Sequence, residues 1–168
     1  MPFRQDVSAM TPVQRHAIRA LLDTYIRDKH PVAEHHMADM DPTLDIHGRG
    51  LLAWHQHFLA ELENWLLMNK GAQFVPLPFW DPGNPVPPEL NKNNNANINM
   101  PLPANFQGAG LAAFPDYDAL NSAILPFHDN VHGALGGDMP FRHKSPGDPI
   151  FWPFHALLVA VYERWRGL

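Results

Sequence analysis

A mainly α-helical fold, a four-helix bundle with long proline- and asparagine-rich loops, is predicted by three observations. Apolar residues recur at helical spacing in separate stretches of the chain. Start and stop signals bound those stretches, and prolines and asparagines gather between them. The chain has 168 residues, so one domain spanning 1–168 is expected, large enough to bury a core. With 45% hydrophobic and 17% charged residues, the composition is globular rather than disordered. A net charge of −5 argues against nucleic acid as the main partner. There is no cysteine, which excludes disulfides and thiolate metal sites. The start, MPFRQDVSAM, lacks an apolar signal core, and no run approaches the ~18 apolar residues of a membrane span. The expectation is a cytoplasmic protein without a membrane partner.

The first helix starts at Thr11-Pro12-Val13-Gln14, which supplies an N-cap, a proline at the first helical position and a capping-box glutamine. Its stripe of Ile18, Leu21, Leu22, Tyr25 and Ile26 leads on to His30, one turn further on the same face, before Pro31 interrupts or kinks it. From Val32 to Ile46 the reading is a short helical piece, carrying His35-His36, and then a loop. His47 follows, with Gly48 and Gly50 suited to a tight turn. The second long helix, roughly 51 to 69, has Leu51, Leu52, Phe58, Leu59, Leu62, Trp65 and Leu66 on one face, with His55 among them. On one continuous helix His47 and His55 would stand about 12 Å apart along the axis, so His47 is expected in a loop that folds back over the helix start.

From Gln73 to about Phe114 the residues suggest a loop packed over the core, with an exposed, mobile tip at the asparagines around 93 to 97. Leu120 to Leu125 leads into the helix of His128 and His132, which are four apart and share a face. The last helix carries Ile150, Phe151, Phe154, Leu158, Val161, Tyr162 and Trp165, and His155 falls inside that stripe.

Histidine is the residue that needs explaining, with 11 in the chain. One histidine on an apolar face is an ordinary core residue bonded to a carbonyl. His30, His55, His132 and His155 all lie on stripes that must face the same small core, where apolar neighbours cannot satisfy every ring nitrogen. A shared metal does. With His47 and His128 the set is six imidazoles in two groups of three. Imidazole-only coordination suits copper, zinc, iron or nickel. A di-iron bundle would want an E-x-x-H pattern and a zinc protease H-E-x-x-H, and the chain has neither. A mononuclear three-histidine zinc site would leave the other three histidines unexplained. Two copper ions with three histidines each is the economical reading.

Several stretches resemble the tyrosinase and catechol oxidase (polyphenol oxidase) family, type 3 dicopper proteins, in a short bacterial-like form. Trp54-His55-Gln56-His57-Phe58-Leu59-Ala60-Glu61-Leu62-Glu63 is similar to the first copper signature, WHRxFLxxFE. Ser145 to His155, SPGDPIFWPFH, is similar to the second, SPxDPxFWxHH. His128-Asp129-Asn130-Val131-His132-Gly133, with Gly136-Gly137 following, resembles HNxVHxxxGG, and Pro78-Phe79-Trp80-Asp81 resembles PYWD. The motifs stand in the family's order over most of residues 25 to 165.

The resemblance implies that one copper takes His47, His55 and an upstream histidine, and the other takes His128, His132 and His155. For the upstream ligand, His30 has the family-like gap to His47 and the right helical face. His35 or His36 would need an unusually short loop. His57 reads as a neighbour of the site or a surface residue, and His16 and His143 as surface. The chain departs from the family in a His47 to His55 gap one residue shorter than usual and in four residues: Gln56 stands for an Arg, Phe154 for a His, Val159 for an Asp and Asp129 for an Asn. The family's Asn helps hold a water that deprotonates the phenol, so Asp129 is the candidate catalytic base, accepting a hydrogen bond from His132 or from a water at the metals. The Glu that shares this water has no match among Asp116, Asp118 and Asn121. The activity implied is O2-dependent hydroxylation of monophenols and oxidation of catechols to o-quinones. A small phenol is then the partner, O2 the cosubstrate, and a copper chaperone a candidate partner. Only three residues follow Trp165, so the site is expected to be open. Hemocyanin-like oxygen binding and a non-catalytic metal-binding bundle are the rival classes.

Overall fold

The computed structural model describes residues 4–168; the first three positions of the expected 1–168 domain lie outside it. Its α-helices are α1 (Pro12–Lys29), α2 (Pro31–Asp39), α3 (Leu51–Met68), α4 (Tyr117–Leu135) and α5 (Phe151–Arg166), joined by turns and short 3-10 segments. The fold is mainly helical. Four long helices match the expected bundle, and α2 is a fifth, short one. Among the described residues no helix is long and apolar enough to cross a membrane.

Local chemistry accounts for the ends. Thr11 and Gln14 close the capping box that starts α1: the Gln14 N–H donates to the Thr11 hydroxyl (3.3 Å), and the Thr11 N–H to Gln14 Oε1 (2.8 Å). Asp116 caps α4 by accepting from the Ala119 N–H at 2.9 Å. Helix α5 is the centre of the molecule, with every residue from Phe151 to Val159 buried. A helix apolar on all sides belongs inside a core, and α3 packs along it through Leu52, Phe58, Leu59 and Leu62.

The long connection from α3 to α4 is tied down at both ends of the bundle. Trp80 is fully buried, and its backbone N–H donates to the Pro153 carbonyl at 3.0 Å, fixing this loop to the first turn of α5. Arg4 is buried between α3 and α5, donating to Glu63 and to both oxygens of Glu163. The asparagine tip is exposed as expected, yet it is anchored rather than free. Asn94 Nδ2 donates to Asp148 Oδ2 at 2.7 Å, and the Asn95 N–H to the Leu135 carbonyl at the end of α4 at 2.7 Å. These bonds join the end of α4 to the turn that leads into α5, the two helices that carry one half of the site.

Candidate metal centre

His128 and His132 stand one turn apart on α4, with ring centres 4.4 Å apart, and α5 presents His155 to both, at 5.3 and 5.2 Å. Each Nδ1 is occupied. His132 donates to the Met139 carbonyl (2.7 Å), His155 to the Phe151 carbonyl (2.8 Å) and His128 to Asp129 Oδ1 (2.8 Å). All three partners can only accept, so the proton sits on Nδ1 and the Nε2 lone pair is left facing inward. His132 Nε2 is buried with no partner, and the Nε2 atoms of His128 and His155 face each other at 3.3 Å. Two lone pairs at that distance with no proton between them call for a cation.

The second group consists of His35, His47 and His55. His55 lies on α3 and donates from Nδ1 to the Leu51 carbonyl at 2.8 Å, so its Nε2 is again buried and unpaired. His47 lies in the turn before α3, as its spacing required. Its Nδ1–H donates to Asp39 Oδ1 at 2.7 Å. The turn is tight: Asp45 has φ 45°, and a side chain at Gly50 would collide with the Leu44 carbonyl. His35 comes from α2, and neither of its ring nitrogens has a partner.

The upstream assignment is therefore corrected in the structure, which brings His35 and not His30 to His47 and His55. Pro31 is the physical cause. It has no N–H to continue α1, and its ring disfavours a right-handed helical conformation at the preceding residue. His30 accordingly leaves the helix with φ 53° and ψ 45°, exposed, and Pro31 becomes the first residue of α2. The new helix buries Pro31, His35 and Ala38, spaced i, i+4, i+7, and its direction makes the short loop to His47 sufficient.

The two groups form one centre. His55 stacks on His155 with ring centres 4.5 Å apart and 19° between planes, while His47 and His55 each lie within about 6 Å of His128. In each group the ligand atoms lie within 4.8 Å of one another. Phe151 and Phe154 pack against the rings, Phe154 from the position where the family has a further histidine. Burial first, and then the neighbouring imidazoles, holds the group neutral: His35 is pushed down to about 3, and His55, His128 and His155 lie well below the usual imidazole range. His132 is lowered to about 4 by burial, and His47 is lowered by burial against the opposing pull of Asp39. Neutral imidazoles with inward lone pairs fit a late transition ion such as copper.

The remaining histidines stay outside. His57 is exposed beside Glu61, and His16, His36 and His143 are exposed as well. Asp129 is about half exposed and accepts from His128, not from His132. Its Oδ2 accepts nothing among the described residues. Asp39 was missed by sequence reasoning, because its link to His47 depends on how the turn folds. Asn121 is buried and joins α4 to the turn of His47: Nδ2 donates to the Gly48 carbonyl at 2.8 Å, and Oδ1 accepts from the Leu52 N–H at 3.1 Å.

Fold and site together define a helical protein with a paired histidine centre. Residues 89–168 match the family described as the common central domain of tyrosinase. Among curated proteins, Tyrosinase-like protein 2 of Margaritifera margaritifera is 41% identical over 46 residues, and Tyrosinase-like protein of Pinctada maxima is 44% identical over 46 residues. In each case the aligned stretch is 27% of this chain and 10% of the relative, so the chain spans about a tenth of the relatives it matches. No solved structure matches it. The family match over residues 89–168 and the two relatives support membership of the tyrosinase family. That family implies copper binding and suggests an oxidoreductase, and the two triads are the residues that fit the metal.

Proposed function

We propose that this chain is a copper-dependent oxidase that uses O2 to hydroxylate monophenols and to oxidise catechols to o-quinones. One copper would be held by His35, His47 and His55 and a second by His128, His132 and His155. The observation that carries this reading is the set of neutral imidazoles between α2, α3, α4 and α5, five of which engage Nδ1–H with a carbonyl or carboxylate and so leave Nε2 facing inward, with His35 contributing a ring that has no partner at either nitrogen. The metals supply the O2 and electron-transfer chemistry when bound. The chain supplies the rest. Backbone carbonyls and two carboxylates set the tautomers and ring orientations. Phe151 and Phe154 keep the surroundings apolar. Asp129, at the solvent edge beside His128, would take the phenol proton on Oδ2, a reading supported by Oδ1 being already engaged with His128.

That engagement also favours a second reading, a catechol oxidase without monophenolase activity. Asp129 bound to His128 is a weaker base for a monophenol than a carboxylate free in the site, and a catechol gives up its proton more easily. Oxygen uptake by the copper-loaded chain, measured on a monophenol and on the matching catechol, separates the readings. Activity on both supports the first, and activity on the catechol alone supports the second. A chain with two coppers that consumes no O2 with either rules out an oxidase and leaves oxygen binding. In Asp129→Ala, monophenol turnover should fall by more than catechol turnover; equal loss on both would remove Asp129 as the base.

A further inference from the structure

Five histidines lie outside the triads, and three of them, His30, His36 and His143, line a single solvent-facing groove of about 390 Å³. The groove runs between α2 and the turn at 142–144, with Ile26, Val32 and Ala33 as its apolar lining. His36 and His143 face each other across it with ring centres 6.4 Å apart, close to the 6.1 Å between His47 and His55 inside the buried triad. Two imidazoles sharing an ion through bonds of about 2 Å place their ring centres roughly 5 to 6 Å apart. Both side chains are exposed, so a small rotation, cheap at the surface, closes the pair on an ion.

The exposed donors that follow His36 in the chain include two soft ones. Met40 caps the end of α2, its N–H donating to the His36 carbonyl at 3.1 Å one turn back, and Met37 follows His36; they are 71% and 68% exposed. Methionine is ordinarily a buried residue, and both of these thioethers are open to water within four residues of His36. Asp39 and Arg142 are 3.7 Å apart and offset each other. Imidazole with thioether selects Cu(I) over harder ions. His35, the next residue back along α2, points the other way, into the first triad.

We propose that His36 and His143, with Met40 as the thioether donor, form a surface site for Cu(I) at which the metal is held before it enters the first triad. The loading role rests on the copper reading of the triads; the surface site does not.

The test uses the full chain without oxygen, titrated with Cu(I) against a chromophoric Cu(I) chelator, while the imidazole resonances are followed by NMR. The first additions should shift the resonances of His36 and His143 ahead of the six buried rings. His36→Asn with His143→Asn should bind one ion fewer and fill the triads more slowly to the same final level. Met37→Leu with Met40→Leu should weaken Cu(I) at the surface and leave Zn(II) unchanged. Unmoved His36 and His143 resonances, an unchanged ion count in the double histidine variant, or equal loss of Cu(I) and Zn(II) in the methionine variant would each overturn the proposal. Surface binding with empty triads would support the surface site and overturn the copper reading of the triads.

Discussion

The triad of His128, His132 and His155 rests on two long helices, while that of His35, His47 and His55 draws on a nine-residue helix, a turn and one long helix. In the helical triad every Nδ1 is held, twice by a backbone carbonyl. In the other, His35 is held by nothing and His47 by Asp39 alone. The match to the common central domain of tyrosinase, residues 89–168, contains all of the helical triad and none of the other. A ligand set fixed by regular helices can be read from periodicity. One that depends on a chain reversal has to be found in the reversal.

The largest effect should come from the two rings that join the triads. His55→Ala or His155→Ala removes a ligand from one triad and the stacked neighbour, 4.5 Å away, from the other. Copper per chain should fall, and O2-dependent turnover should disappear. A His55→Ala protein with its full copper content would refute the assignment.

The next comparison tests the reversal itself. His35→Ala should lose the copper of the first triad, whereas His30→Ala, at an exposed left-handed position, should keep both metals. The opposite pattern in metal analysis would return the site to α1.

The long helices, the capping box, the turn before α3 and the shared face of His128 and His132 were legible in the sequence, because each follows from spacing within one segment; the grouping of His155 with that pair was what the resemblance implied. The place of His30 was not, and the reason is specific. The stripe through Ile26 extends to His30 only if α1 survives Pro31, and Pro31 ends it. The signal for His35 was nonetheless present. Pro31 suits a first helical position, which makes His35 the fifth residue of its helix, the same register that His55 and His155 hold in α3 and α5. Contacts between segments, such as Asp39 with His47 and Asn121 with Gly48, have no periodicity to betray them.

Acid should act on the metal-free centre as a whole. The six rings have folded values below the ordinary imidazole range, so the unfolded chain takes up protons first as pH falls. Stability contributed by the neutral rings is complete above roughly 6.5. It is lost as pH drops below that, and the loss continues toward about 4, where His132 titrates in the folded state, and about 3 for His35. Urea midpoints of the apo protein should decline across this window. A midpoint that rose on acidification would show that the rings are not buried neutral.

Removing a carboxylate anchor should cost less than removing a ligand. Asp39→Asn leaves His47 without its charged partner and should weaken first-triad copper by about 10-fold or more. Asp129→Asn should cost His128 less, because Asp129 is 52% exposed against 25% for Asp39 and its hold is more strongly screened by water. Copper titration of the two variants ranks them; a larger loss in Asp129→Asn would reverse the argument.

The smallest effect, and the one that best separates the triads, belongs to Asn121. Its amide holds the Gly48 carbonyl and the Leu52 N–H, so α4 pins both the turn of His47 and the start of α3. The hydroxyl of Tyr117 supports the same turn, donating to the Arg49 carbonyl at 2.8 Å. Asn121→Leu keeps the volume but leaves the buried Leu52 N–H unpaired and removes one of the two bonds to the Gly48 carbonyl, which also accepts from the Leu51 N–H, so it should destabilise the fold by about 1–2 kcal/mol. The strain falls on the first triad, because no anchor of His128, His132 or His155 involves Asn121. Copper should therefore be lost more readily from the first triad than from the second, and Tyr117→Phe should do the same to a lesser degree. Equal weakening of both triads would mean that the turn of His47 does not depend on α4 for its position.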